Sequence, residues 1–213
     1  MNQEESRFEI TQLPVGQMAN FSYIISDKHS FDAAVVDPSW DLETIISVLE
    51  EKKWNAKYII NTHTHFDHIL GNEQIAAATG AKIMQHENST AYKDIPVKGD
   101  HMFTIGDVTV NVLFTPGHSN DSICLIVDED SILTGDTLFV GNCGRTDLPG
   151  SDPELMYNSL YNKIRNLNES LIIYPGHDYG PAKTSTIYEE KRSNPMLNFK
   201  SKDSFLRYLN GNV

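Results

Sequence analysis

The stretch Thr62-His63-Thr64-His65-Phe66-Asp67-His68 decides how this sequence is interpreted. It places three of the eight histidines of the chain, together with one aspartate, in a single short loop. Residues 57–61 before it are rich in the side chains of a buried strand, and a helix is predicted from about residue 69 to 79 after it. Loops that follow strands are where α/β sheets place their chemistry, so this loop is predicted to be functional.

The spacing within this loop is typical of metal ligands. Side chains alternate along an extended chain, so His63 and His65 point to the same side and can hold one ion together. Asp67 and His68 follow where the chain turns into the helix. They can serve a second ion nearby, or Asp67 can orient water on the first ion, which makes Asp67 a predicted catalytic residue.

Three more polar residues follow apolar strands and a glycine in the same manner, and they are His118, Asp136 and His177. Together with the first loop they give five histidines and two aspartates, which suffice for two metal sites. The predicted assignment puts three histidines on one ion, Asp67, His68 and His177 on the other, and Asp136 between the two. The cysteines, Cys124 and Cys143, are not clustered, so thiolate ligands are not expected.

The pattern around these loops predicts the architecture. Antiparallel β-type runs cover residues 7–13, 21–26 and 33–37, and a second β-rich block covers residues 108–114, 122–127 and 131–134. Predicted helices begin with caps at Asp41 and Asp152, the latter reaching Leu167, and another strand (171–174) and a short helix from about residue 203 follow. Two strand-rich halves with helices after each predict an α/β fold, an αββα sandwich of two mixed β-sheets flanked by helices. A single domain is expected over residues 1–213.

Composition narrows the class of protein. Seventeen basic residues against 29 acidic ones give a net charge of −12 over 213 residues, which disfavours a nucleic-acid partner. No apolar run approaches the roughly 20 residues of a membrane span, so no membrane partner is expected. Two cysteines make no disulfide framework, which favours a cytoplasmic location.

The order His63-x-His65-x-Asp67-His68, then His118, Asp136 and His177, resembles the metallo-β-lactamase superfamily of αββα hydrolases and oxygenases. The resemblance implies a metalloenzyme without an organic cofactor, and the same seven ligands. Gly135-Asp136-Thr137-Leu138-Phe139 and Cys143-Gly144-Arg145 are similar to the glyoxalase II branch, which hydrolyses thioesters of glutathione (hydroxyacylglutathione hydrolases). Other segments look more like the persulfide dioxygenases, which oxidise glutathione persulfide to sulfite at one iron: Arg145-Thr146-Asp147, residues 173–179, Ser185-Thr186-Ile187 and Asn194-Pro195-Met196-Leu197.

The preferred interpretation is a persulfide dioxygenase with one Fe(II) per chain. Such an ion needs a face of two histidines and one carboxylate, and His118, Asp136 and either His63 or His65 would provide it. The residues after His177 are too few for the long helical extension of typical glyoxalase II enzymes, which favours the dioxygenase or a compact hydrolase. The alternative is a thioester hydrolase with two zinc ions, or with a mixed zinc and iron pair. Such an ion lowers the pKa of its bound water from ~15.7 to about 7, which generates the attacking hydroxide. A catalytically silent, partner-binding member of the fold is disfavoured because the ligand set is intact.

The substrate is expected to be a small glutathione-like persulfide or thioester, and a homodimer is left open. Arg145 is the predicted contact for a substrate carboxylate, with pairing to Asp147 as the alternative. Tyr179 is a predicted catalytic and substrate-binding residue if its hydroxyl points into the pocket, and otherwise its ring packs under the loop. Cys143 is expected to pack as a small apolar group. Residues 189–192 are predicted to be a solvated helix face.

Overall fold

The computed structural model describes residues 6–209 and 211. In the first half of the chain, the strands form one six-stranded sheet. The sheet contains β1 (Phe8–Val15), β2 (Asn20–Asp27), β3 (Asp32–Val36), β4 (Asn55–Ile60), β5 (Lys82–His86) and β6 (Ile95–Val97), in this spatial order. The strands β1 to β3 form an antiparallel meander, as predicted, and β3 to β6 run parallel.

Helices α1 (Leu42–Lys52), α2 (Phe66–Ile69) and α3 (Asn72–Thr79) connect the parallel strands of this sheet. The helix predicted for residues 69–79 is therefore wrong in its bounds, because the chain is already helical at Phe66. Gly71 separates α2 from α3, and its amide donates to the carbonyl of Pro38 at 2.9 Å. A Cβ at Gly71 would lie 2.9 Å from that same carbonyl oxygen, so the close approach requires glycine.

The second half repeats the arrangement with a second six-stranded sheet. Its strands are β7 (Met102–Ile105), β8 (Val108–Phe114), β9 (Ile123–Val127), β10 (Ser131–Gly135), β13 (Ile172–Pro175) and β14 (Ser185–Thr186), and a separate hairpin consists of β11 (Leu138–Phe139) and β12 (Asn142–Cys143). The order in space is β14-β13-β10-β9-β8-β7, and β10 and β13 are parallel. The helices of this half are α4 (Pro153–Asn158), α5 (Ile187–Ser193) and α6 (Lys202–Leu209).

Two of the predicted helix boundaries need correction. Asp152 caps α4 as expected, because its carboxylate accepts the amides of Glu154 and Leu155. Beyond α4 the chain does not stay α-helical to Leu167 but tightens from a π-helical turn (Ser159–Lys163) into a 3₁₀ turn (Ile164–Asn166). Asp41 stands at the start of α1 without capping it, because its carboxylate accepts the amide of Gly16 at 2.8 Å instead.

Three buried apolar layers hold the elements together. One lies between the two sheets and includes Phe21, Ile25 and Leu125. A second joins the first sheet to α1 and α3, and a third joins the second sheet to the helices of the C-terminal half. The layers thus run helix, sheet, sheet, helix, which confirms the predicted αββα sandwich of two mixed sheets. Among the described residues, no helix combines the length and the apolar character that crossing a membrane requires.

The two sheets meet at one edge, where the predicted ligands lie. The loop after β4 carries the first group of histidines, and the loops after β8, β10 and β13 carry His118, Asp136 and His177. A backbone hydrogen bond from Phe21 to Gly176 at 2.9 Å joins the halves beside His177. The site is therefore built from strand ends of both halves.

Candidate metal centre

The seven side chains predicted from the sequence come together at this edge. Their ligand atoms form three overlapping groups within 4.8 Å, namely His63-His65-His118, His63-His68-Asp136 and Asp67-His68-His177. Six of these residues are buried, and His65 is partly exposed. The first and third groups match the two triads predicted from the sequence, although their role as ligands stays a prediction.

The first group consists of three imidazoles whose ring nitrogens face one point. Nδ1 of His65 lies 3.1 Å from Nε2 of His63 and 2.9 Å from Nε2 of His118. Burial and the neighbouring His68 lower the pKa of His63 well below its ordinary value, so its imidazole is neutral and offers a lone pair. Neutral imidazoles gathered in this way are the ligands of zinc, iron and copper sites.

The second group lies beside the first, with Asp136 between them. Nε2 of His68 lies 3.2 Å from Nε2 of His177, and Oδ2 of Asp67 lies 3.6 Å from both of these nitrogens. Oδ2 of Asp136 lies 3.3 Å from Nε2 of His177 and 3.5 Å from Nε2 of His118. Asp136 can therefore contribute to either group.

The chemistry of this donor set fits a metal ion. Oδ1 of Asp136 is buried and accepts no hydrogen bond within the described residues, which is costly for a carboxylate without a positive partner. Burial works to raise the pKa of Asp136, but the surrounding imidazoles, His68 first, lower it, so the carboxylate stays ionised. An ionised oxygen and several neutral nitrogens without thiolates suit zinc or iron.

A carboxylate that the sequence analysis missed orients one of these imidazoles. Asp37 lies at the end of β3, and its Oδ2 is 3.0 Å from Nδ1 of His68. The same side chain accepts the amide of Thr62 at 2.7 Å and its hydroxyl at 2.6 Å, which anchors the start of the histidine loop. A carboxylate behind a histidine fixes the tautomer that presents Nε2. The signal was an aspartate at the end of an apolar strand, which resembles the signal that identified Asp136 except that no glycine precedes Asp37.

Three neighbouring carboxylates raise the pKa of the buried His68. Burial works to lower its pKa, but Asp136, Asp37 and Asp67 together raise the pKa to about 9.

Backbone carbonyls orient the outer imidazoles, since Nδ1 of His118 lies 2.9 Å from the carbonyl of Arg145 and Nδ1 of His177 lies 3.0 Å from that of Met18. These contacts leave Nε2 of each ring to face the centre.

Asp67 is held by a chain of hydrogen bonds that starts at an indole. Nε1 of Trp40 donates to Oδ1 of Asn20 at 3.0 Å, and Nδ2 of Asn20 donates to Oδ2 of Asp67 at 2.9 Å. The amide of Asn20 is thereby fixed in one orientation, with its NH₂ toward Asp67. Sequence analysis did not identify Asn20 or Trp40, because neither residue belongs to a motif.

An open cavity of about 710 Å³ reaches the centre from outside. Its lining is mostly apolar, with His65, Asp67, His118, Asp136 and His177 at its base. Arg145 also lines it, and the guanidinium makes a two-pronged ion pair with Asp147, at 2.6 and 2.7 Å. The structure thus shows the ion pair with Asp147, which was the alternative role considered for Arg145. The contact of Arg145 with a substrate carboxylate stays a prediction.

Tyr179 and Cys143, which the sequence analysis also singled out, both lie at the cavity wall. The ring of Tyr179 stacks on His177 at 4.6 Å, and its hydroxyl donates to the carbonyl of Met18. The ring lines the cavity and the hydroxyl is engaged by a backbone carbonyl, while the catalytic and substrate-binding roles of Tyr179 stay predictions. Cys143 is buried at the cavity wall, and burial raises the pKa of its thiol to about 12, in keeping with a packing role.

The prediction of a solvated helix face at residues 189–192 is wrong for Glu190. Only 1% of Glu190 is exposed, and its Oε2 accepts the amide of Gly141 at 2.9 Å and Nδ2 of Asn194 at 2.7 Å. The run of charged residues suggested a side chain exposed to solvent. The hairpin that covers Glu190 was not anticipated, because its residue Gly141 is far away in the sequence.

Comparison with known proteins supports the fold and the type of site. The profile described as "Metallo-beta-lactamase superfamily" matches residues 15–177. The hydroxyacylglutathione hydrolase of Pelagibacter ubique is 35% identical over 86% of this chain and 77% of its own. The mitochondrial persulfide dioxygenase ETHE1 of Homo sapiens is 31% identical over 83% of this chain and 71% of its own.

Among solved structures, the crystal structure of ETHE1 from Myxococcus xanthus superimposes on this chain with a TM-score of 0.90. The two sequences are 29% identical, and the match covers 95% of this chain and 90% of the other. The chain is thus similar both to a hydroxyacylglutathione hydrolase and to a persulfide dioxygenase.

Proposed function

Since this chain belongs to the metallo-β-lactamase superfamily, we propose that it is a metal-dependent enzyme that acts on a low-molecular-weight thiol derivative, and that the derivative is a persulfide. The reaction is R–SSH + O₂ + H₂O giving R–SH, sulfite and two protons. The outer sulfur loses four electrons, and dioxygen takes them up. The observation that carries this proposal is the TM-score of 0.90 with ETHE1 of Myxococcus xanthus over nearly the whole of both chains.

The ligands proposed for a single Fe(II) are His118, Asp136 and one histidine of the pair His63 and His65. When bound, the ion would supply the redox chemistry that a reaction with dioxygen requires. Asp136 brings the negative charge of this face, and its buried Oδ1 has no competing hydrogen-bond donor among the described residues.

The remaining side chains of the centre have proposed supporting roles. Asp37 orients His68 through the contact of 3.0 Å, and Asn20 orients Asp67 through its amide. Asp67 is the proposed catalytic acceptor for a proton of the substrate, because its carboxylate faces both the cavity and the imidazoles. Tyr179 would form part of the wall against which the substrate packs.

Metal analysis of protein purified without oxygen tests the proposal, together with oxygen uptake on addition of a persulfide. We expect about one iron per chain and one dioxygen consumed per sulfite formed. Protein with iron that consumes no oxygen with any persulfide would contradict the proposal.

A thioester hydrolase with two zinc ions is the second candidate, and a specific observation favours it. Asp67, His68 and His177 form a second group that could hold an ion, which a single iron does not need. Two zinc ions per chain with rapid hydrolysis of a lactoyl thioester, and without oxygen uptake, would establish this alternative. The 35% identity with the hydroxyacylglutathione hydrolase of Pelagibacter ubique also supports it.

Substitution of His177 separates the two candidates. In a dinuclear hydrolase, His177→Ala should remove one of two ions and most of the thioesterase activity. In the dioxygenase, the single iron should remain, because His177 is outside its proposed ligand set. Metal counted per chain before and after the substitution decides between them.

A further inference from the structure

The mouth of the cavity is apolar. Its walls above the metal centre include Met18, Phe66, Leu148, Pro149 and Tyr179, and we call these five residues the apolar mouth. Phe66 and Tyr179 are each 57% exposed and Met18 is 40% exposed, whereas Leu148 is half-buried. Exposed apolar side chains gathered at one place mark a surface that binds something apolar.

The apolar mouth continues outward along α2. Trp40 packs edge-on against Phe66, with ring centres 6.3 Å apart, and Trp40 is itself exposed. Leu70 directly follows α2 and keeps helical backbone angles, one turn after Phe66, so its side chain lies on the same side as that of Phe66, and half of Leu70 is exposed. An apolar strip thus leads from the metal centre to the outer surface.

The charges around the mouth do not favour an anionic substrate. Arg145 is the one lysine or arginine among the described residues that line the cavity, and Asp147 already occupies both prongs of its guanidinium. A substrate carboxylate at Arg145 must displace Asp147 or lie beside its negative charge. The chain as a whole carries a net charge of −12, which adds to this repulsion.

We propose that the non-reacting part of the substrate is a hydrocarbon group that packs on the apolar mouth, and not a dianionic peptide such as glutathione. This inference rests on the proposed function, in which the sulfur reacts at the metal centre. The strip is continuous with the cavity base, so a group attached to the reacting sulfur would extend along it. Removing that group from water provides the binding free energy.

A series of substrates tests the inference. We would measure kcat/KM for the ethyl, butyl and hexyl persulfides and for glutathione persulfide, by oxygen uptake, and for acetyl thioesters of the same four thiols, by thiol release. Each buried methylene should raise kcat/KM about fourfold, and the glutathione derivative should be poorer than the butyl one. A flat series, or a glutathione derivative that is best, would overturn the inference. No turnover of any persulfide or thioester would refute the proposed function itself.

Substitutions test whether the apolar mouth causes the expected preference for longer hydrocarbon groups. Phe66→Ser and Leu70→Ser should each raise the KM for the hexyl substrate severalfold, and by a larger factor than the KM for the ethyl substrate. Met102→Ser is the matched control, because Met102 is equally exposed but lies on β7, an edge strand of the second sheet. Asp147→Asn should release Arg145 and improve kcat/KM for the glutathione derivative. Equal effects of Phe66→Ser and Met102→Ser would contradict the proposal.

Discussion

Asp136 illustrates how one buried side chain depends on its neighbours. Its carboxylate lies within 3.6 Å of three imidazole nitrogens, yet its Oδ1 has no hydrogen-bond donor among the described residues. A buried ionised oxygen without a partner costs several kcal/mol unless a cation compensates it. The residue therefore stabilises the protein only when the centre carries positive charge.

The first prediction concerns this residue and its neighbour His118. Asp136→Ala and His118→Ala should each remove the bound metal and reduce turnover at least a hundredfold, because both are proposed ligands in either chemistry. His29→Ala is the control, since His29 is exposed and outside the centre. Metal content and kcat measured together check the prediction, and full metal with full activity in either variant would disprove the assignment.

The second prediction concerns the two thiols. Burial raises the pKa of Cys124 to about 11, against weaker lowering contacts from Thr115 and Thr137, and burial raises the pKa of Cys143 to about 12. The thiolate is the reactive form, so at pH 8 both should react with iodoacetamide at least a hundred times more slowly than a free cysteine. Mass spectrometry of native and denatured protein provides the test. Rapid labelling of Cys143 in the native protein would mean that the cavity wall opens to solvent.

At the scale of elements, the hairpin β11–β12 depends on a helix from the other end of the chain. Glu190 on α5 accepts the amide of Gly141 at the tip of the hairpin. Asn194 lies next to Glu190, and its Nδ2 contacts the carbonyls of Phe139 and Asn142 at 3.3 and 3.0 Å. The hairpin brings Phe139, Asn142 and Cys143 to the cavity, so α5 sets the position of that wall.

The third prediction follows from this contact. Glu190→Ala leaves buried donors unpaired and should lower the free energy of unfolding by about 1–3 kcal/mol. KM should rise while metal content stays the same, because the hairpin carries cavity residues but no proposed ligand. Glu190→Gln keeps an acceptor oxygen and should restore part of the loss. Glu189→Ala, at an exposed neighbouring position, should change neither quantity, and a rise in KM for this control would contradict the prediction.

Sequence patterns predicted the layers and the gathering of the seven polar side chains, because both depend on strand ends and local periodicity. They did not predict short elements such as β6, β11 and β12, which have too few residues for a period to be recognised. Nor did they predict that Glu190 is buried, since its partner Gly141 is about fifty residues away. Asp37 was missed because, unlike Asp136, it follows its apolar strand without an intervening glycine.

At the scale of the whole molecule, the centre joins the two halves. The loop after β4 in the first sheet brings His63, His65, Asp67 and His68, and the second sheet brings His118, Asp136 and His177. Direct contacts between the halves beside the centre include the hydrogen bond from Phe21 to Gly176. A bound ion would add bonds across the same boundary.

The fourth prediction concerns removal of the metal. An ion that binds only the folded state stabilises it by about 2.7 kcal/mol at a concentration one hundred times its Kd. Chelation should therefore lower Tm by roughly 5–11 °C for a chain of this length, and replacing the metal should restore it. Calorimetry with and without chelator measures this. An unchanged Tm in protein shown to lose its metal would mean that the two halves hold together without it.

The spread of the seven side chains along the chain has a consequence for biosynthesis. The whole first sheet, with its two-histidine pair, leaves the ribosome before the second sheet begins, and His177 follows about half a chain later. Domains synthesised from the N-terminus begin to fold as they emerge. A nascent chain therefore presents at most a weak, partial chelate until Asp136, the last of the ligands proposed for a single iron, has emerged, and the second group is complete only with His177. Products truncated before Asp136 should accordingly leave the ribosome without metal.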